Sequence, residues 1–380
     1  MINHDLLRSD FNSIDPVKQK EAINYWNDNL LPFPKPISVH FSITSRCGSM
    51  CQHCFQWQWP KQTELTYDSI CKILFTLKSW GIKSITFGGG DPFLHSDFIK
   101  IIKLAKLYGF SISIITNCSI YDKKILKEIA TYCDWIRFSI DGPKEIHNAI
   151  RNFNFYDNVK KSINYIKYLN SNIITALNFV IQKINFGYIN DIFKVQCDLN
   201  ADFMLLKVVH GEGEYMLTET EWSFIYNWLK SNHSMKQQKH TNINELIYCF
   251  DTFYTLHDLA RGYPVHTYYF KHNILCFVPM FFLSISSNGN VYPCDYLQYD
   301  TRIYSDKQQH YILGNILNDP NVVLETRQKV YTNISHYPAK GFIECGSCTR
   351  FCLFNTIATN ILRNNNIIKN ESEVEQYVFL

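Results

Sequence analysis

Between residues 37 and 231 the apolar residues keep changing period, and each change marks a switch between strand and helix. ISVHFSIT (37–44), IKSITF (82–87), SISIIT (111–116), DWIRFSI (134–140), NIITALNFVI (172–181) and DFMLLKVV (202–209) read as strands. Helical spacing follows each of them: YDSICKILFTLKSW (67–80), SDFIKIIKLAKLY (96–108), YDKKILKEIATY (121–132), NFYDNVKKSINYIKYL (154–169), GYINDIFKVQCDL (187–199) and TETEWSFIYNWLKS (218–231). Gly81 and Gly109 close the first two helices, and Ser96 is the expected N-cap of the second. Strands alternating with helices of this length predict parallel pairing through right-handed crossovers. Six units are fewer than the eight of a closed barrel. The expected fold is therefore α/β, a partial (β/α)6 TIM-like barrel with its site at the C-terminal ends of the strands.

The rest of the chain divides around that body. Residues 1–36 read as a helical lead-in, DPVKQKEAINYWNDNL broken by LPFPKP, and residues 37–235 as the barrel. The polar stretch at 231–242 carries the boundary, and residues 236–380 form a second region of shorter strands, turn signals and clustered cysteines. CFVPMFFLSI (276–285) is too short to span a bilayer and reads as a buried strand. With 37 basic and 34 acidic residues, the chain offers no electrostatic footprint for nucleic acid or an anionic membrane. The N-terminus is not a signal peptide, so a cytoplasmic protein is expected. In that reducing setting thirteen cysteines do not suggest a disulfide framework, and their clustering points to metal or iron–sulfur.

Cys47, Cys51 and Cys54 form a C-x3-C-x2-C run directly after the first strand. Zinc would need a fourth ligand. His53 is near, but His53 and Cys54 are neighbours and do not easily join two other cysteines around one tetrahedral ion. An iron–sulfur cube on three thiolates fits better and leaves one iron open to a substrate or cosubstrate.

This loop, on a partial barrel, resembles that of the radical S-adenosylmethionine (SAM) superfamily. The resemblance implies a 4Fe-4S cluster whose open iron binds the amino and carboxylate groups of SAM. It implies reductive cleavage of SAM to a 5′-deoxyadenosyl radical that abstracts a substrate hydrogen. ITFGGGDPFLH (85–95) is similar to the family's glycine motif, with Gly89 and Gly90 allowing close approach to the methionine moiety. Asp91 stands where the family usually has Glu and would accept from the SAM ammonium. IITNC (114–118) resembles the family's Thr-Asn-Gly, with Cys118 in place of Gly and Asn117 as a SAM contact. In RFSIDGPKEIHNAIR (137–151), Ser139 and Asp141 would meet the ribose or the methionine end, and Arg151 the SAM carboxylate. The alternative for Arg151 is a solvated helix arginine. His53 lies where the family often places an aromatic residue against the adenine, and His147 reads as structural.

Cys276, Cys294, Cys345, Cys348 and Cys352 lie in the last third, with SSNGN as a hairpin turn and LGNI at 313–316. This text resembles the SPASM/twitch extension of many radical SAM enzymes. Only C-x2-C-x3-C is present near the end, with no cysteine after Cys352. One auxiliary 4Fe-4S cluster is expected, most simply on Cys276, Cys294, Cys345 and Cys348, with Cys352 spare or exchanging. Zinc is the rival occupant.

The resemblance implies a radical SAM enzyme, an oxidoreductase or a maturase of a ribosomally synthesised peptide, acting by crosslinking, epimerisation or oxidation. A small-molecule dehydrogenase acting on a sugar or aminoglycoside is the alternative. A non-catalytic iron–sulfur or zinc module is the third reading. Implied partners are a reductant such as flavodoxin or ferredoxin and a separate leader-binding protein. Within the expected barrel mouth, His210, Glu212 and Glu214 of HGEGEY are candidate catalytic groups, with a solvated loop as the alternative.

Overall fold

The computed structural model describes residues 36, 38–51, 53–54, 63–209, 213–232, 240–252, 255–261, 282–295, 298 and 312–332. The expected N-terminal helix, Cys276 and Cys345 to Cys352 lie outside the described residues, as do His210 and Glu212. No helix among the described residues is long and apolar enough to cross a membrane.

The six expected strands are present and pair in chain order. They are β1 Ser38–Thr44, β2 Ser84–Gly89, β3 Ser111–Thr116, β4 Trp135–Ser139, β5 Ile174–Ile181 and β6 Phe203–Val208, all parallel. Between them run α1 Tyr67–Trp80, α2 Phe98–Leu107, α3 Lys123–Tyr132, α4 Lys144–Arg151, α5 Tyr156–Leu169 and α6 Ile192–Asp198, with α7 Glu219–Asn232 after β6. The sheet does not stop at six. A short β7, His240–Thr241, adds parallel to β6, followed by α8 Ile243–Thr252 and α9 Leu256–Ala260. From the far part of the chain, β8 Phe282–Ile285 adds parallel to β1 on the other side. The SSNGN turn, with Gly289 at φ 85°, then returns β9 Asn290–Tyr292 antiparallel to β8, and β10 Gly314–Asn315 follows at the edge before α10 Pro320–Thr332. The result is one sheet of ten strands, ordered β10-β9-β8-β1-β2-β3-β4-β5-β6-β7.

Local chemistry explains most element ends. Thr66 accepts from Ser69 N at the start of α1, and Gly81, at φ 82°, ends it in the left-handed conformation. Asp122 caps α3 by accepting from Lys124 N and Ile125 N. Ser96 does not cap α2; Asp97 holds the N-cap position and makes no side-chain cap bond. The helix expected over 187–199 begins as a tight 3-10 segment, Phe186–Asp191, before α6.

One face of the strands packs on the helices. Val39, Phe41 and Ile43 join Ile85, Phe87, Ile112, Ile114, Ile136 and Phe138 and the inner faces of α1, α2 and α3 in one apolar core. The opposite face is polar yet also buried: all seven residues of β1 are buried, Ser38, His40, Ser42 and Thr44 included. Parallel pairing keeps Ser284, His40, Thr86 and Ser113 in one row across β8, β1, β2 and β3. Arg137 on β4 donates across β3 to Thr86 Oγ1 on β2 at 3.2 Å. That contact lays a β4 side chain over the polar face as far as β2. The polar face is the barrel interior.

Candidate active site

The C-terminal ends of β1 to β5 converge on the cysteine loop. Cys51 is buried, while Cys47 and Cys54 are half-buried. Cys54 N donates to Cys51 O at 3.0 Å, so the loop turns tightly between the last two thiols.

The glycine turn after β2 serves this loop. Gly90 N donates to Thr44 O at 2.9 Å and Asp91 N to Arg46 O at 2.7 Å. A Cβ on Gly90 would fall 1.9 Å from Arg46 O, and Gly89 sits at φ 111° with its own Cβ position 2.4 Å from Thr44 O. The close approach these glycines permit is to the cysteine loop's backbone. We expect Gly90→Ala to push residues 44–46 away, costing about 1–3 kcal/mol by overpacking. Thermal denaturation of the iron-free protein and iron content after reconstitution would check this.

Asp91 is fully buried. Its carboxylate accepts from Phe93 N (3.0 Å), from Thr116 Oγ1 (3.0 and 2.9 Å) and from Asn117 N (3.2 Å). Burial pushes its carboxyl up to about 6 against those donors. Asn117 spans two loops, its Nδ2 donating to Cys47 Sγ at 3.1 Å and its Oδ1 accepting from Ser119 N at 2.9 Å. Cys118 takes the left-handed conformation, φ 58°, that its glycine counterpart would enter without strain.

Arg151 is not a solvated helix residue. Its Nε lies 2.6 Å from Asp141 Oδ2, both side chains are buried, and its guanidinium also points at Cys51 Sγ, 3.4 Å away. Burial would raise the Asp141 carboxyl, but Arg151, with His53 and His147, holds it below its ordinary value. Ser49 Oγ donates to Arg151 O at 2.9 Å and lies 2.8 Å from Cys51 Sγ. The other Asp141 oxygen accepts from Val180 N on β5. Ser139 is half-buried at the end of β4, opposite Asn178. His53 Nδ1 is 3.2 Å from Gln182 Nε2, which brings the cysteine loop to the end of β5.

His147 has a partner that sequence spacing did not reveal: its Nδ1 accepts from Asp141 N at 3.2 Å. Burial first, then Arg151, lowers its imidazole to about 4. The unfolded chain therefore binds a proton that the folded chain does not. Stability should fall as pH drops from 6.5 towards 4, by up to about 3 kcal/mol over that window. Urea titrations of the iron-free protein would show a flatter profile in His147→Gln.

Glu214 is exposed on the loop after β6. Cys294 is buried. The turn it starts, with Gln298 N donating to Cys294 O, carries Asp295 to 3.6 Å from His40 Nδ1. The same turn carries Gln298 onto Ser42 Oγ (3.0 Å) and Ser284 Oγ (2.5 Å). These interior residues were missed in the sequence. A signal was there: β1 alternates polar and apolar residues, whereas a parallel strand covered on both faces by apolar packing would read as a continuous apolar run.

Among the described residues, no three His, Cys, Asp or Glu side chains converge as they would around a single metal ion. A four-iron cluster asks for something else, since each thiolate binds its own iron. Three thiols on one short loop, two of them facing donors from Asn117 and Arg151, suit that donor set. Burial pushes the Cys47 thiol up to about 12; a coordinating metal reverses this by deprotonating the thiol outright.

Comparison with known proteins follows the same lines. Residues 41–195 match the radical SAM superfamily, and residues 276–349 match the iron–sulfur cluster-binding domain named SPASM. Over 178 residues the chain is 27% identical to the tungsten-containing aldehyde ferredoxin oxidoreductase cofactor-modifying protein of Pyrococcus furiosus, covering 44% of this chain and 50% of that one. Over 157 residues it is 32% identical to an S-adenosylmethionine-dependent nucleotide dehydratase of Selenomonas ruminantium, covering 39% and 57%. The matches thus span about half the length of these curated relatives. The structure of Streptococcus suis SuiB bound to S-adenosylmethionine shares the fold at a TM-score of 0.61 and 15% identity, over 88% of this chain and 75% of that one. SuiB bound to the precursor peptide SuiA gives 0.52 and 13%, over 82% and 70%.

Proposed function

The chain belongs to the radical SAM superfamily and carries a SPASM iron–sulfur domain, and on that premise we propose that it modifies a ribosomally synthesised peptide by crosslinking, epimerising or oxidising it. The observation that carries this reading is the placement of the three-cysteine loop at the mouth of a barrel whose interior row is polar. Buried residues such as Thr86, Ser113 and Arg137 make this interior polar rather than apolar, a lining suited to an amide-rich ligand. The fold shared with SuiB, a protein crystallised with its precursor peptide, supports the substrate class.

When bound, a 4Fe-4S cluster and SAM supply an electron and a 5′-deoxyadenosyl radical that abstracts hydrogen from the substrate. The chain's part is to hold three thiolates and to shield them. Asn117 and Arg151 donate to two of the sulfurs, which stabilises their charged form. His53 and Gln182 close the loop against β5, where the adenine would pack. A single auxiliary cluster would draw on Cys276, Cys294, Cys345 and Cys348; of these Cys294 is described, and the turn it starts reaches His40 and Ser42. Electrons would come from a flavodoxin or ferredoxin.

A small-molecule substrate is the second reading, supported by the nucleotide dehydratase relative. The deciding experiment incubates the anaerobically reconstituted protein with SAM, reductant and any short peptide encoded beside its gene, with nucleoside triphosphates in parallel. Loss of two hydrogens or uptake of solvent deuterium by a peptide, with 5′-deoxyadenosine formed, supports the peptide reading. Turnover of a nucleotide alone replaces it with the second.

A further inference from the structure

We propose that Asp91 is a positioning residue for the cysteine loop and does not receive the SAM ammonium, an inference that rests on the radical SAM chemistry but not on the peptide reading. The acidic residue after the family's glycine turn is expected to face the cofactor. Here both oxygens are taken by the protein. Oδ1 accepts from Phe93 N, Oδ2 accepts from Asn117 N, and the single Thr116 hydroxyl proton is shared between the two oxygens, all within 3.2 Å. A carboxylate offers about four acceptor sites, and these three donors leave about one of them for a ligand. No part of Asp91 reaches solvent.

Its bonds form a closed circuit around Cys47. Asp91 N donates to Arg46 O, which is the residue before Cys47. The carboxylate fixes Asn117 N and the Thr116 hydroxyl at the exit of β3. Asn117 Nδ2 then donates back to Cys47 Sγ. Three strand exits, those of β1, β2 and β3, are thereby held by one residue, the first through its backbone N–H and the third through its carboxylate. The shorter carboxylate is what makes this geometry available. Asp91 is also the N-cap of the Pro92–Leu94 turn, and a capping oxygen must sit close to its own backbone. Glutamate, one methylene longer, would carry its oxygens past Phe93 N and Asn117 N.

Asp91→Asn, Asp91→Glu and Asn117→Ala in the full chain, reconstituted anaerobically, separate the two roles. Iron per chain, the EPR signal of the reduced cluster without SAM, and the SAM dissociation constant would be measured. If Asp91 positions the loop, both Asp91 variants should retain about tenfold less cluster. They should shift the SAM-free EPR signal in the same direction as Asn117→Ala, and the cluster-bearing fraction should bind SAM within about twofold of the parent. Asp91→Glu would rescue nothing. If Asp91 is the ammonium acceptor, Asp91→Glu should bind SAM normally. Asp91→Asn should then keep its iron and its SAM-free signal while losing SAM affinity, and that pattern overturns the proposal. Where an Asp91 variant fails to fold, an unchanged SAM-free signal in Asn117→Ala overturns it equally. Absence of iron and SAM binding in the parent protein would instead count against the radical SAM chemistry itself.

Discussion

Cys51→Ala should bring 5′-deoxyadenosine formation down to background and remove about four of about eight irons per chain. Cys51 is the deepest of the three thiols, 3% exposed, with Ser49 Oγ at 2.8 Å and the Arg151 guanidinium at 3.4 Å from its sulfur. Alanine removes one of three thiolates and leaves an iron without its anchor. Neither neighbour replaces a thiolate: the Ser49 hydroxyl, which donates to Arg151 O, is a harder and weaker ligand for iron, and a guanidinium has no lone pair to offer. The remaining irons would belong to the auxiliary cluster and should survive. Cys197→Ala, on the exposed side of α6, is the control and should keep both iron content and deoxyadenosine. Iron assay and chromatography of the quenched reaction read out both quantities. Wild-type turnover in Cys51→Ala would remove this loop from the chemistry.

Arg151→Ala should destabilise the iron-free protein by about 3–5 kcal/mol. The pair it makes with Asp141 is short, 2.6 Å, and shielded from solvent on both sides. Removing the cation leaves a carboxylate buried against β5, where Val180 N alone remains as a charge-stabilising donor among the bonds described. The cost is that of an unpaired buried charge, larger than the net worth of the pair. The double variant Arg151→Met with Asp141→Asn should therefore recover a large part of the loss, since neither charge is then left without its partner. Urea denaturation under anaerobic conditions measures both. A loss below about 1 kcal/mol in Arg151→Ala would place the pair with surface ion pairs, which contribute little.

The strands and helices of the barrel were legible because burial writes a period into the chain. Apolar residues at Val39, Phe41 and Ile43 can share one face of a strand, and Ile70, Ile73, Leu74 and Leu77 one face of a helix, only if those elements form. Chain order then gave strand order, as right-handed crossovers require. The strands β7 and β8 were harder. Two residues at 240–241 carry no period, and nothing local in FLSI says that it will lie beside β1 from more than 200 residues away.

Site residues divide in the same way. The three cysteines and the glycine turn announce their chemistry by spacing, which is a local property. The roles of Asp91, Asn117, Arg151 and His147 depend on side chains brought together from different strand exits. For Arg151 the spacing left a solvated helix position open, and the structure instead buries it between Asp141 and Cys51. For Asp91, spacing gave no hint that its oxygens accept from Thr116 and Asn117. The order of elements and the identity of the thiol loop follow from local text, because helices, strands and a C-x3-C-x2-C run are set by residues a few positions apart. Which charge meets which emerged from the folded chain alone, because a buried ion pair or a hydrogen bond to a sulfur is fixed by distances of about 3 Å across strands, and no spacing along the chain encodes them.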